Sequence, residues 1–309
     1  MRIVFFGSPE FAVPTLRAMA AQHEVVLVIS QPDRPAGRGR AVTAPAVKQV
    51  ALELGLPTLQ PTKLRDPELA AQLAALAADA FVVVAYGRIL PPALLDLPRL
   101  GPYNVHASLL PLYRGAAPIQ WAVINGETQS GISIMRMEEG LDTGPVLLQE
   151  RLSIGDDDTA GTLAARLAVL GAQSMVASLP RIAAGELVPE IQDHARATLA
   201  PLLEKEHGVL DFQRPSRLVS AQARGVDPWP GATTVIEGEV VKLFHPRVVA
   251  GQGAPGSVLG LGEAGLRIAC ADGAVAFAEL QFPGRKRLPA AAVLAGRPIP
   301  VGTVVAGKV

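Results

Sequence analysis

Two kinds of apolar spacing alternate through the first half of the chain. The strands expected at Arg2–Phe6, Val25–Ile29 and Phe81–Val84 are almost wholly apolar, the pattern of strands buried on both faces of a parallel sheet. Tyr103–Val105, Ile132–Met135 and Val146–Glu150 are further runs of strand length. Between these runs, helices are predicted over Phe11–Ala20, Pro45–Leu54, Pro67–Ala77, Ala117–Asn125 and Thr159–Ala184. Ser8 can cap the first of them, with Pro9 in its first turn, and Asp158 or Thr159 can cap the last. Such alternation predicts an α/β fold, a doubly wound, mainly parallel, Rossmann-like sheet.

The pattern changes after Gly185. Residues 186–208 lack strong periodicity and contain Pro189 and Pro201. A short helix over Pro215–Arg224 is followed by β-like runs at Thr233–Ile236, Val240–Phe244, Gly256–Leu259, Leu266–Cys270 and Val275–Leu280. Glycine-bearing turns separate them, as in a small β-barrel of the OB-like kind. A last helix is expected near Pro289–Leu294. The chain therefore divides into a first domain at 1–188, a linker at 189–208 and a second domain at 209–309.

Composition narrows the function classes. Of the 309 residues, 49% are apolar and 18% charged, and the formal net charge is zero, so the chain is globular and any polyanion site must be a local patch. Residues 1–188 carry 15 Lys+Arg against 17 Asp+Glu, a net of −2, and residues 189–309 carry 13 against 11, a net of +2. After Leu280 come Arg285, Lys286, Arg287, Arg297 and Lys308 with no acidic residue. A second basic stretch, Gln31–Lys48, holds Arg34, Arg38, Arg40 and Lys48 against Asp33 alone. Its Pro-Ala-Gly-Arg-Gly-Arg core is too rich in glycine and proline for a strand or helix, leaving a solvated loop or a flexible contact to phosphate. Cys270 is the only cysteine, which excludes an intramolecular disulfide and a cysteine-rich metal site, and its neighbours mark it as a small buried hydrophobe. No signal-peptide layout precedes the first strand, and Leu69–Tyr86 reads as a helix followed by a strand rather than a membrane span, so cytoplasmic residence is expected.

Chemistry concentrates in one place. Asn104 and His106 stand two residues apart in a strand, so both side chains project to the same side at its carboxyl end, where open α/β sheets bind ligands. Gly140-Leu141-Asp142-Thr143-Gly144 adds an isolated carboxylate. An amide, an imidazole and a carboxylate suffice for acyl transfer to an amine without a covalent nucleophile. Asn104 can donate to the oxyanion, His106 can donate or carry a proton, and Asp142 can orient the imidazole or accept the amine proton through water. Ser108 lacks a Gly-x-Ser-x-Gly elbow, and His23, His194, His207 and His245 read as surface or structural groups. The turn Gly7-Ser8-Pro9-Glu10-Phe11 is no dinucleotide fingerprint, and no Walker sequence occurs. Asp156-Asp157-Asp158 is better explained by the positive end of the following helix than by a metal, and no metal site is expected.

These residues carry a resemblance. The chain resembles the formyltetrahydrofolate-using formyltransferases, and among them the bacterial methionyl-tRNA formyltransferases, along nearly its full length. The matching segments are Phe6–Phe11, Gln31–Gly39, Ala85–Pro91, Asn104–Gln120, Gly140–Pro145 and Pro228–Ala232. The resemblance implies formyl transfer from 10-formyltetrahydrofolate to methionyl-initiator-tRNA. Asn104, His106 and Asp142 would be the catalytic trio, and Ser108, Leu109, Leu110 and Pro111 the folate-contacting segment. Arg34, Arg38, Arg40 and Lys48 would meet the acceptor stem, and Arg285, Lys286 and Arg287 in the basic second domain the tRNA body. A monomer without membrane attachment is expected. Leu112, Ser8 and Asp227 depart from the residues commoner in that family, and none belongs to the trio. The alternative is a formyltransferase acting on an amino sugar nucleotide or glycinamide ribonucleotide, which the basic segments disfavour.

Overall fold

A computed structural model describes residues 1–36 and 41–307. Contacts divide the chain into two compact units: Met1–Pro118 with Ser130–Ser153 and Ala164–Ala200, and Ile119–Gln129 with Ile154–Leu163 and Pro201–Val309.

The elements of the first half are β1 (Arg2–Gly7), α1 (Val13–Gln22), β2 (Glu24–Ile29), β3 (Arg34–Ala36), β4 (Ala41–Thr43), α2 (Ala46–Glu53), β5 (Thr58–Leu59), α3 (Pro67–Ala75), β6 (Ala80–Val84), α4 (Pro92–Leu95), β7 (Gly101–His106), α5 (Pro118–Ile124), β8 (Gln129–Arg136), β9 (Val146–Ser153) and α6 (Ala160–Ala183). Seven strands form one sheet in the order β5-β2-β1-β6-β7-β8-β9. From β5 to β7 every pairing is parallel, and β8 turns antiparallel to β7. The predicted α/β fold with a mainly parallel sheet is thus the observed one. Strand order reverses between β1 and β6, and the carboxyl ends there are the natural ligand side.

Burial explains the apolar runs. Ile3, Val4, Phe5 and Phe6 are all fully buried, so both faces of β1 are covered. Phe6 packs against Phe81 and Tyr86 with ring centroids 5.2 and 5.4 Å apart, fixing β1 against β6 and the turn beyond it. On β7 the close partner is α6, because a Cβ on Gly171 would come within 2.8 Å of Val105 Cγ1. Glycine there lets the helix approach the strand that carries Asn104 and His106. Helix α6 starts as predicted: Thr159 Oγ1 accepts from Thr162 N at 3.2 Å.

Two local expectations are corrected. Ser8 caps no helix: a 3-10 turn at Glu10–Ala12 intervenes, α1 starts without a side-chain cap, and Ser8 Oγ instead accepts from Gln31 N at 3.1 Å. The Gly/Pro-rich stretch does contain strands. Arg34–Ala36 pairs antiparallel with Ala41–Thr43, and Pro35 is tolerated because a two-stranded ribbon has only edges. Gly37, Arg38, Gly39 and Arg40 lie outside the described residues.

Residues 189–200, read above as linker, are tied into the first unit. Glu190 pairs with Val146, and Arg114 exchanges main-chain bonds with Thr198 and Ala200.

The second unit contains α7 (Ser216–Gly225), β10 (Ala232–Ile236), β11 (Glu239–Val249), β12 (Val258–Gly262), β13 (Gly265–Ala269), β14 (Ala274–Gln281), β15 (Leu288–Pro289) and α8 (Ala290–Gly296). The sheet runs β10-β11-β14-β13-β12, antiparallel throughout, with β15 on β14. The tail joins its two edges, since Ala306 bridges Val235 on β10 and Val304 bridges Ser257 just before β12. That closure is barrel-like and protects edges that would otherwise stand open. Cys270 is buried here, and burial pushes its thiol pKa up to about 11, which makes it inert.

Candidate active site

Strand β7 delivers two side chains to one place. Asn104 lies beside Val83 of β6 and Met135 of β8, and His106 ends the strand opposite Ser133. Asp142 arrives from the loop between β8 and β9 in a left-handed conformation, φ +52°. Gly144 makes that turn possible, since a Cβ there would stand 2.0 Å from Arg136 O. Asn104 Nδ2 donates to Asp142 Oδ1 at 3.3 Å, and His106 Nδ1 lies 3.6 Å from Asp142 Oδ2. The structure therefore brings together all three residues that the sequence singled out.

The imidazole is buried, with a side-chain exposure of 5%, and its other nitrogen has a carbonyl partner. His106 Nε2 stands 3.0 Å from Tyr113 O. A carbonyl only accepts, so Nε2 carries the proton and Nδ1 is the basic position of the neutral ring. A proton arriving at Nδ1 would sit beside the Asp142 carboxylate. That carboxylate also accepts from Gly115 N at 2.9 Å, which fixes its orientation.

The segment after the strand is held from below. Ser108 Oγ donates to Leu112 O at 2.6 Å. Ser133 Oγ donates to Ser108 O at 2.7 Å and accepts from Leu110 N at 3.1 Å, while Gln149 Nε2 donates to Leu110 O at 2.8 Å. Ser108 and Leu110 are buried, and Leu109 and Pro111 are partly exposed.

Several residues of the site gave no sequence signal. Gln192 Nε2 donates to Asp142 O at 2.9 Å and to Gly144 O at 2.6 Å. Arg114 donates to Gln192 Oε1 from Nε at 3.1 Å and from Nη2 at 2.6 Å, and Nη2 also faces His194 Nδ1 at 3.0 Å. Gly115, Ser133 and Gln149 were missed as well. All act across long sequence separations, which leave no periodic trace.

The basic candidates differ from one another. Lys48 Nζ is already engaged, 2.8 Å from Asp33 Oδ2 and 2.7 Å from Gln60 Oε1. The Lys48 ammonium, with Gln60, holds the Asp33 carboxyl below its ordinary range. Arg34 Nη2 donates to Gln31 Oε1 at 3.2 Å. Arg287 pairs with Glu279 and lies over the Phe244 ring at 4.0 Å. Arg285 and Lys286 are exposed, and among the described residues their side chains have no partner. No cluster of three or more His, Cys, Asp or Glu suited to a metal occurs among the described residues.

Two family profiles match the chain: formyl transferase over residues 1–179, and formyl transferase C-terminal domain over residues 202–298. The methionyl-tRNA formyltransferase of Citrifermentans bemidjiense is 48% identical over 100% of this chain and 97% of its own length. That of Sorangium cellulosum is 50% identical over 99% of both chains. The chain belongs to the methionyl-tRNA formyltransferase family. It is a formyl-transferring enzyme. Solved structures share the fold at low identity. The sugar 3N-formyl transferase WlaRD, determined with dTDP and 5-N-formyl-THF, has a TM-score of 0.68 at 18% identity, covering 93% of this chain and 99% of that one. HypX of Aquifex aeolicus, in complex with tetrahydrofolic acid, has a TM-score of 0.64 at 20% identity over 95% of this chain and 47% of that longer chain.

Proposed function

We propose that this enzyme transfers the formyl group of 10-formyltetrahydrofolate to the α-amino group of methionyl-initiator-tRNA, giving N-formylmethionyl-tRNA. The convergence of Asn104, His106 and Asp142 at the end of β7 carries the reading. Near-complete alignment with relatives named for this activity supports the acceptor. The folates that accompany two fold neighbours support the class of donor.

An α-amino group has an ordinary pKa of about 7.7–8.0, and esterification of its neighbouring carboxyl lowers it, so the attacking amine is largely a free base at neutral pH. The protein must then position the amine, stabilise negative charge on the formyl oxygen and move one proton from the amine to the departing nitrogen. Asn104 uses one N–H on Asp142 and has a second for the oxyanion, a donor worth about 2.7–4 kcal/mol in such sites. His106 takes or returns the proton at Nδ1, next to Asp142. Leu109 and Pro111 would wall the folate, with Ser108 and Leu110 holding that wall in place. Arg34, Arg38, Arg40, Arg285, Lys286 and Arg287 would meet tRNA phosphates, since irregular RNA is read largely by shape and backbone. Lys48, paired with Asp33, would steady the hairpin base. The enzyme would act as a cytoplasmic monomer.

Incubation with 10-formyltetrahydrofolate and charged initiator tRNA, an amino sugar nucleotide or glycinamide ribonucleotide tests the proposal. Formylation of the tRNA is expected; modification of either small acceptor alone would overturn it.

A further inference from the structure

The segment after α6 reaches the catalytic turn through one side chain. Gln192 is buried and uses its whole amide: Nε2 donates to the carbonyls of Asp142 and Gly144, and Oε1 accepts from Arg114 twice. This orientation is the only workable one. A flipped amide would set Oε1 against two carbonyls and Nε2 against a guanidinium that can only donate. Arg114 is itself buried, and its side-chain partners are the Gln192 amide and His194 rather than a carboxylate. A buried cation with neutral partners is a demanding arrangement, and here its hydrogen bonds serve to aim the amide.

The two carbonyls that Gln192 grips bracket the left-handed turn presenting the Asp142 carboxylate to Asn104 and His106. Arg114 reaches the same carboxylate by a second route, because its neighbour Gly115 donates to Asp142 Oδ2. Main-chain bonds hold Arg114 in turn: its N–H donates to Thr198 O and its carbonyl accepts from Ala200 N. Asp142 is thereby fixed at its main chain through Gln192 and at its side chain through Gly115.

We propose that Gln192 is a positioning residue for Asp142, with Arg114 setting the direction of its amide. The inference rests on the functional reading above only where activity is the readout. Gln192→Glu keeps shape and the Arg114 contact but sets an acceptor against two carbonyls. Displacing a catalytic group by about 1 Å can lower turnover by about 100-fold. Expected for Gln192→Glu is a fall in kcat of about 10- to 100-fold, with KM for either substrate within about threefold. In an Asp142→Asn background the same change should lower kcat by less than about twofold, because both act through one carboxylate.

A second readout needs no substrate. In protein labelled with ¹⁵N-histidine, and assigned with His106→Asn, the His106 Nδ1 resonance should move in Gln192→Glu. A residue that merely stabilises the unit would leave it in place. Gln192→Met removes both donors without adding charge and should act in the same direction. Wild-type kcat in either folded variant, full additivity with Asp142→Asn, or an unmoved His106 resonance overturns the proposal. So does failure of both variants to fold, which would make the segment a support of the unit rather than of the turn. If the wild type does not formylate tRNA, the functional reading falls, and the ring resonance still decides the role of Gln192.

Discussion

The carboxyl end of β7 and the basic ribbon of β3 and β4 are built in opposite ways. At β7 the polar groups are buried or partly buried and held from several directions, with Asp142 receiving bonds from Asn104, Gly115 and Gln192. The ribbon is two three-residue strands standing on one polar knot of Asp33, Lys48 and Gln60. Acyl transfer needs donors fixed to a few tenths of an ångström, and only overlapping constraints achieve that. Attraction of a polyanion needs only charge of one sign within a Debye length of about 8–10 Å, which tolerates far looser placement.

The largest effect should come from the buried region. Asn104→Ala or His106→Ala is expected to lower kcat by about 100- to 1,000-fold while tRNA binding persists, as measured by formylation and filter binding. A loss below about tenfold in either would mean that the trio is not the chemical centre. Asp142→Asn should fall in the same range, since the neutral amide no longer supports a proton on His106 Nδ1.

Weaker effects should come from the charges. Arg285→Ala with Lys286→Ala should weaken tRNA binding several-fold and flatten the slope of log K against log salt by about 1 to 2, with kcat at saturating tRNA unchanged. A salt slope identical to wild type would remove this patch from the interface. Arg38→Ala should reduce productive tRNA engagement more than folate binding, and equal losses for the two would contradict a phosphate contact.

The smallest effect concerns the ribbon base. The Asp33 carboxyl is held below its ordinary range by Lys48, so the pair supports the base at neutral pH and stops doing so as pH falls through that lowered value, below about pH 4. Lys48→Met should mimic the acid state at neutral pH. Faster tryptic cleavage after Arg38 or Arg40, with kcat nearly unchanged, is the expected result. A collapse of kcat instead would place Lys48 in the chemistry and erase the contrast between the regions.

Legibility in the sequence follows the same division. Asn104 and His106 could be paired from the period of a strand alone, and the glycines around Asp142 marked a carboxylate on a special turn. Gln192 and Arg114 could not be found that way. They meet across 78 positions, in irregular backbone where no spacing repeats. The ribbon was missed because glycine and proline argue against strands in general, though not against an exposed two-stranded one. Ser8 was misread because a capping residue is defined by where the helix begins, and Pro9 and the 3-10 turn moved that start to Val13.

By itself the sequence determined the buried strands, the helices between them and the side of the sheet on which Asn104 and His106 emerge, because local period and burial are properties of neighbouring residues. It also determined the chemistry on offer, an amide, an imidazole and a carboxylate with no activated nucleophile. Only the tertiary structure decided that the imidazole keeps its proton on Nε2, that Asp142 is gripped from two sides, and that Lys48 is already paired. Those facts depend on contacts between distant segments, and hydrogen-bond direction and ion pairing exist only once the chain has brought the partners together.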